Sequence, residues 1–206
     1  MNIKYLFGSI TLLLIFSTPG IAQQANISFH SLLNEMINRD AIAHYPNPYY
    51  TMQQFSSYDR DAKKPGNLNW FSNWDRTQFI RTENKNGHTE YVMMDADGPG
   101  AIVRFWMTFA GEGAGQGILR IYFDGEKKPT IKGNAMDILS GGSLVGMPLS
   151  MSVSPKTEYK MRGHNLYLPL PYGKHCKITY ESEHIQDAGA KKGGESRLLQ
   201  YKLSGL

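Results

Sequence analysis

Short runs of alternating apolar and polar residues fill the chain from about residue 77 to residue 181. Alternation with a period of two is typical of strands with one buried face, because successive side chains of a strand point to opposite sides. Glycines fall mostly between these runs, as in short strands joined by turns. The pattern predicts a mainly β fold, an antiparallel jelly roll or β-sandwich. The predicted strands are 78–83, 88–95, 101–109, 117–124, 130–132, 165–170 and 175–181.

Asn86-Gly87 separates the first two predicted strands. A two-residue turn of type I′ needs positive φ at both central residues, which Asn and Gly adopt readily, so the sequence predicts a β-hairpin. Glu83 and Glu90 flank this turn and are expected to lie near each other across the two strands. Two carboxyl groups ~5–5.5 Å apart would suit a retaining glycosidase. The alternative is a solvated strand surface with no catalytic role.

One helix is predicted downstream of the N-terminal segment, over residues 29–43. Ser28 can serve as its N-cap, and Pro46 and Pro48 end it because proline lacks the amide hydrogen that a helix requires. Its apolar residues with helical spacing are Leu32, Leu33, Met36 and Ile37.

Two of the predicted strands divide clearly into two faces. In 101–109, Val103, Phe105, Met107 and Phe109 oppose Ile102, Arg104, Trp106 and Thr108. In 117–124, Leu119, Ile121 and Phe123 oppose Arg120, Tyr122 and Asp124. The first set of each strand is the predicted core face. The second sets would then place Arg104, Trp106 and Tyr122 on one shared face.

An arginine beside aromatic rings suits a carbohydrate. Sugar C–H faces pack on aromatic rings, and guanidinium donors reach hydroxyl groups in a fixed fork. The alternative is a second packing layer in which Arg104 pairs with a carboxylate. Asp, Arg and Trp also concentrate in 56–75, either as a binding loop or as a loop pinned by its aromatic residues. The candidate substrate-binding residues are Tyr58, Asp59, Arg60, Trp70, Trp74, Asp97, Arg104 and Trp106.

Composition narrows the function classes. The formal charge of +4 comes from scattered basic residues, which argues against a nucleic-acid partner. The six histidines show no metal-ligand spacing, and neither a phosphate-binding GxxxxGK[ST] loop nor a GxSxG elbow occurs, so no metal or cofactor is predicted. Cys176 is the one cysteine, which excludes an internal disulfide and predicts a small core residue.

Residues 1–22 have the features of a secretory signal: Lys4, a short apolar run, and small residues at Gly20 and Ala22. The apolar run is shorter than the ~20 residues of a membrane-spanning helix. We therefore expect cleavage near Ala22, a periplasmic or secreted location, and no membrane attachment after cleavage.

Several segments together resemble the N-terminal half of glycoside hydrolase family 172, formerly domain of unknown function 2961. They are Ser57-Tyr-Asp-Arg60, Trp70-Phe71, the segment from Glu90 through Gly98-Pro-Gly100 to Thr108, Leu119-Arg-Ile-Tyr-Phe-Asp-Gly125 and Asn165-Leu-Tyr-Leu-Pro-Leu-Pro171. The resemblance implies an exported bacterial enzyme with a double jelly roll, assembled into trimers or hexamers. It further implies activity on fructofuranosides or D-arabinofuranosides by a metal-free mechanism with two glutamates.

The chain departs from that family in its C-terminal part. Family members are longer, and their catalytic glutamates lie in a C-terminal half whose Gly-Thr-Glu-Asp-Tyr-like motif does not occur here. No catalytic residue is therefore assigned to this chain. Residues 196–206 also replace an aromatic family strand, which suggests a frameshift, a sequencing error or a genuine truncation. The predicted organisation is a signal peptide (1–22), a helix and linker (23–48), a jelly roll (49–195) and a non-family tail (196–206).

Three hypotheses follow for function. The chain is the first jelly roll of a furanoside-acting hydrolase and inactive alone, or a free-standing carbohydrate-binding module, or a structural domain for assembly. Binding without turnover would distinguish the second, and no glycan binding at all would favour the third.

Overall fold

A computed structural model describes residues 27–47, 49–59, 65–66, 78–110, 113, 115–185 and 201–203. Within them the chain is mainly antiparallel β, which confirms the predicted fold class. The strands are β1 Thr51–Gln53, β2 Arg81–Lys85, β3 His88–Asp97, β4 Gly100–Ile102, β5 Phe105–Met107, β6 Ile118–Phe123, β7 Ile131–Asn134, β8 Ser150–Ser152, β9 His164–Leu166, β10 Leu170–Tyr172, β11 His175–Glu181 and β12 Tyr201–Leu203. The helices are α1 Phe29–Ile37 and α2 Ala135–Leu139, with 3-10 turns at Asp40–Ala43 and Tyr159–Met161.

Three sheets make up the sandwich in this part of the chain. The first has five strands in the order β2-β3-β11-β6-β7, and β3, β11 and β6 run through its centre. The second has the order β1-β12-β4-β10, and the third β5-β9-β8. Apolar side chains from all three sheets and α2 form one core, with fully buried members that include Met94, Phe105, Phe109, Ile121, Leu166, Ile178 and Tyr180.

The second and third sheets adjoin where two predicted strands each break in two. The predicted strand 101–109 becomes β4 and β5, and 165–170 becomes β9 and β10. Ile102 pairs with Leu170 and Phe105 with Leu166, so two residues on one side oppose three on the other. One of those three is Pro169, which has no amide hydrogen for the ladder. An unequal count of this kind bends and twists a strand pair, as a β-bulge does.

This break overturns one prediction about side-chain direction. Ile102 was expected on the outer face but is 1% exposed, while Val103, expected in the core, is only partly buried. From Arg104 onward the predicted phase holds, because Phe105, Met107 and Phe109 are buried and the residues between them are partly exposed.

The β2–β3 hairpin confirms the turn prediction, since Asn86 and Gly87 both have positive φ, 48° and 83°. The first helix starts as predicted, with Ser28 and Ser31 forming a reciprocal capping box. It ends earlier than predicted, because Asn38 has extended backbone angles and donates its amide to the Asn34 carbonyl. Only a 3-10 turn follows, so the predicted helix 29–43 is shorter than expected.

Cys176 and Asp124 both have structural roles. Cys176 is fully buried, which confirms its prediction as a core residue, and burial raises the pKa of its thiol to about 12. The Asp124 carboxylate accepts the amide hydrogens of Gly173 and Lys174 at 2.9 and 2.6 Å. Asp124 therefore closes the turn between β10 and β11 rather than facing a ligand.

Candidate functional site

The outer side of the β5-β9-β8 sheet carries an arginine, two aromatic rings, an asparagine and a methionine. The register sets Trp106 opposite Asn165 and Met151 opposite Asn165, so all three share one face. The Tyr167 hydroxyl donates to Asn165 Oδ1 at 3.4 Å, and the Arg104 guanidinium carbon lies 5.7 Å from the centre of the Tyr167 ring. We call this surface the aromatic face; its residues are Arg104, Trp106, Met151, Asn165 and Tyr167.

Trp106 is partly exposed and lies against the backbone at Gly163. A Cβ added at Gly163 would lie 2.7 Å from the indole Nε1 and 3.0 Å from Val153 Cγ2. Real Cβ atoms essentially never come within 3.0 Å of a neighbour, so glycine at position 163 leaves room for the indole ring. The main chain at Gly163 therefore contacts one side of the Trp106 indole.

A buried serine–histidine contact fixes the segment that supports Trp106. His164 is fully buried, with its Nδ1 2.6 Å from the Ser140 hydroxyl, and that hydroxyl is 2.8 Å from the Tyr159 hydroxyl. Burial lowers the pKa of His164 below 6.5, which keeps the ring neutral. The contact ties α2 and the 3-10 turn at Tyr159–Met161 to the strand next to Gly163.

The bend between β4 and β5 decides which side chains join the aromatic face. Arg104 directly precedes β5, and the Tyr167 backbone amide donates to the Leu149 carbonyl at 2.7 Å. A cation above a ring and a half-buried indole form a surface that can stack on a sugar ring and donate hydrogen bonds to its hydroxyl groups.

The shared face predicted for Arg104, Trp106 and Tyr122 does not form. Tyr122 lies on β6 in the five-stranded sheet, whereas Trp106 lies on β5 in the three-stranded sheet. Tyr122 and its neighbour Arg120 are 4% and 6% exposed, within a cluster of charges on that other sheet. The predicted alternation holds from Arg104 to Phe109, but it does not encode the sheet to which each strand belongs.

We call that cluster the charged face; it covers the outer side of the five-stranded sheet. Its ionisable members are Arg81, Glu83, Lys85, His88, Glu90, Asp95, Arg120, His175, Lys177 and Glu181. These include four Lys or Arg side chains and four carboxylates, so the named charges balance.

Glu90 lies at the centre of the charged face and is 1% exposed. Its carboxylate accepts hydrogen bonds from the Tyr122 hydroxyl at 2.9 Å and the Thr179 hydroxyl at 2.8 Å. Burial alone would raise the pKa of Glu90, but these two hydroxyls, His88 and the positive charge of Lys85 lower it. Glu90 is therefore an ionised, fully satisfied group beneath its neighbours.

Glu83 and Glu90 are direct cross-strand partners, as the hairpin predicted. Burial would raise the pKa of Glu83, but hydrogen bonds from Lys177, Arg81 and Lys85 outweigh it and hold the pKa at about 2. Lys85 Nζ lies 3.2 Å from Glu83 and 3.6 Å from Glu90. A glycosidase pair needs one carboxylic acid with a raised pKa, and here both pKa values are lowered. The lowered pKa values argue against a catalytic pair, and the predicted alternative of a solvated surface is wrong for Glu90, which is 1% exposed.

The remaining candidate residues are placed separately. Asp97 is exposed at the end of β3, where Gly98 follows with φ of 89° and donates its amide to the Lys174 carbonyl. Tyr58 is 52% exposed, whereas Asp59 is 2% exposed. Arg60, Trp70 and Trp74 lie outside the described residues.

Sequence reasoning did not include Asn165, Tyr167 or Met151 among the candidates. A signal for the first two existed, because they alternate in the predicted strand 165–170 and so share one of its faces. Met151 had none, since β8 was not predicted. Within the described residues no group of three or more His, Cys, Asp or Glu is placed to hold a metal ion. No helix among those residues is long and apolar enough to span a membrane.

The described sheets form a β-sandwich domain with the aromatic face on one of them. Residues 48–190 match the family model described as the GH172 first beta-sandwich domain. That match covers more than half of the chain, and the chain therefore belongs to glycoside hydrolase family 172. No curated protein matches the chain.

Proposed function

We propose that this chain binds a furanoside-containing glycan, with fructofuranosyl or D-arabinofuranosyl residues, on the aromatic face. Membership of a glycoside hydrolase family supports a carbohydrate as the ligand. The observation that carries the proposal is the placement of Arg104 and Tyr167 beside a half-buried Trp106 on one sheet. A ring face for the sugar and guanidinium donors for its hydroxyl groups meet there.

Hydrolysis by the chain alone is not part of this proposal. The resemblance implies that the catalytic glutamates lie in a C-terminal half whose motif this sequence lacks. The cross-strand pair Glu83 and Glu90 is ionised on both sides and committed to cations. We therefore propose a glycan-binding first sandwich without turnover, exported by the segment 1–22, and assembling with other copies as the family resemblance implies.

Calorimetric titration with arabinofuranosyl and fructofuranosyl oligosaccharides tests the binding. We expect saturable heat with at least one of them, and a loss of at least tenfold in affinity for Trp106→Ala. Tyr45→Ala is the matched control, because Tyr45 is an aromatic residue that is 96% exposed and lies outside the aromatic face. Absence of heat with both sugar classes would contradict the proposal.

A nitrophenyl furanoside assay tests the second half of the proposal. We expect no release of nitrophenol by the 206-residue chain. Release that persists in Glu83→Gln and Glu90→Gln variants would show a catalytic pair elsewhere in the chain. Release that either variant abolishes, while its circular dichroism matches that of the wild type, would make the charged face catalytic.

A further inference from the structure

The C-terminal strand β12 lies inside a sheet rather than at its edge. It is inserted between β1 and β4, with Met52 opposite Lys202 on one side and Ala101 opposite Lys202 on the other. This strand lies beyond residues 48–190, the part that matches the family model. The position it fills thus joins β1 to β4, both of which lie within the matched residues.

The backbone of β4 requires a partner on that side. Gly100, Ala101 and Ile102 are all buried, and buried amide and carbonyl groups are almost always hydrogen-bonded. On its other side β4 pairs with β10, where Pro171, without an amide hydrogen, lies opposite Ala101. Among the described strands, β12 is the one that pairs with β4 on the open side, and the one that pairs with β1.

Recognition at this position depends mainly on the main chain. An extended segment that adds to a sheet gains affinity from backbone hydrogen bonds, and side chains set only specificity. Gly100 and Ala101 are small, so the neighbouring strand makes few demands on side-chain shape. The main chain of an extended segment is therefore the main requirement for a donor. The segment that fits in this structure is β12 itself.

We propose that the slot between β1 and β4 is a strand-acceptor site, which β12 fills within one chain and which the same segment of a second copy fills in trans. Fifteen residues, 186–200, separate β12 from the described sandwich in the sequence, and covalent connection gives the intramolecular strand a high effective concentration. Exchange between copies therefore becomes visible when the chain's own strand is prevented from pairing. This site is separate from the aromatic face, so its failure would leave the proposed glycan binding untouched.

The test uses the full chain with Lys202→Pro and Leu203→Pro together, because proline removes amide donors on both sides of the strand. The matched control is Lys202→Ala with Leu203→Ala, which keeps the amides. The probe is a fluorescent peptide of residues 197–206, followed by anisotropy. We expect the proline variant to bind it at least tenfold more tightly than the wild type or the alanine variant, and a peptide with both prolines to bind none of them.

Equal binding by all three proteins would overturn the proposal, as would no binding by a proline variant whose circular dichroism matches the wild type. Hydrogen exchange on the wild-type chain decides the case in which the proline variant unfolds. We expect amides of β12, β1 and β4 to be protected and to open together. Unprotected amides in β12 beside protected amides in β4 would equally overturn the proposal.

Discussion

Two outer surfaces of this sandwich use similar side chains in different ways. On the charged face, Arg81, Lys177 and Arg120 each form an ion pair with a carboxylate. On the aromatic face, the Arg104 guanidinium lies over the ring of Tyr167. Donors that are committed to opposite charges on neighbouring strands hold those strands together. On the aromatic face a cation instead packs on a ring, next to the partly exposed indole of Trp106.

Residue type alone does not distinguish the proposed binding surface from the charged face. Arg120 and Tyr122 lie two residues apart on the same side of β6. Arg104 and Trp106 have the same spacing at β5. The first pair is 6% and 4% exposed and packs around the carboxylate of Glu90. The second pair is partly exposed and lies at β5, in the separate β5-β9-β8 sheet.

The largest expected effect concerns Glu90. Glu90→Ala removes the acceptor of two hydroxyl groups and leaves Arg120 and Lys85 without this carboxylate, and breaking a buried ion pair costs ~3–5 kcal/mol. The matched change Glu83→Ala removes a carboxylate whose side chain is 21% exposed, so we expect a smaller loss. Urea unfolding of both variants measures the difference. Equal losses would show that the charged face has no buried centre.

Acidification should weaken the protein in two stages, which separate His164 from the charged face. The pKa of His164 is lowered by burial, so its contribution to stability is complete above 6.5 and is lost as pH falls through the lowered pKa. The pKa of Glu83 is held at about 2, and those of Glu90 and Asp95 are also lowered. Their contribution is complete above the unfolded pKa values of 4.5 and 3.8 and is lost as pH falls further.

Urea midpoints between pH 8 and pH 3 measure both stages. His164→Gln should remove the first stage and leave the second, and Glu83→Gln should weaken the second alone. If the stability of the wild type stays constant as the pH falls below 6.5 toward the pKa values of the carboxylates, His164 is not held neutral by burial.

Replacing arginine by lysine on each face sharpens the comparison further. Arg104→Lys keeps the charge but loses the planar fork of donors, so we expect about tenfold weaker glycan binding, equivalent to ~1.4 kcal/mol. Arg81→Lys on the charged face is the matched control and should leave glycan affinity within about twofold. Titration calorimetry measures both, and a loss confined to Arg81→Lys would reverse the roles of the two faces.

The smallest expected effect comes from the support of Trp106. Gly163→Ala places a Cβ 2.7 Å from the indole Nε1, so the ring must shift. We expect a loss of affinity of a few fold with a small change in stability, because the side chain of Trp106 remains. Gly142→Ala fails as a control because its φ is 83°, whereas Gly146→Ala is suitable since nothing lies within 4 Å of its added Cβ. Unchanged affinity in Gly163→Ala would show that the indole position is unimportant.

Local patterns in the sequence determined the hairpin at Asn86-Gly87, the cap at Ser28, the strand His175–Glu181 and the burial of Cys176. Each depends on residues that are neighbours along the chain, so period, turn chemistry and capping suffice. The motif segments from Glu90 to Gly125 also identified the family. The candidates Arg104 and Trp106 came from alternation within one strand, for the same reason.

Only the tertiary structure decided which strands share a sheet. The three-residue strands β1, β8 and β12 carry too little periodicity to be predicted, and their pairing with distant strands defines them. The break opposite Pro169 depends on an unequal residue count in two strands that lie more than sixty residues apart in the sequence. Because alternation gives the direction of a side chain but not the sheet that receives it, the partners of Trp106 and the burial of Glu90 followed from pairing alone.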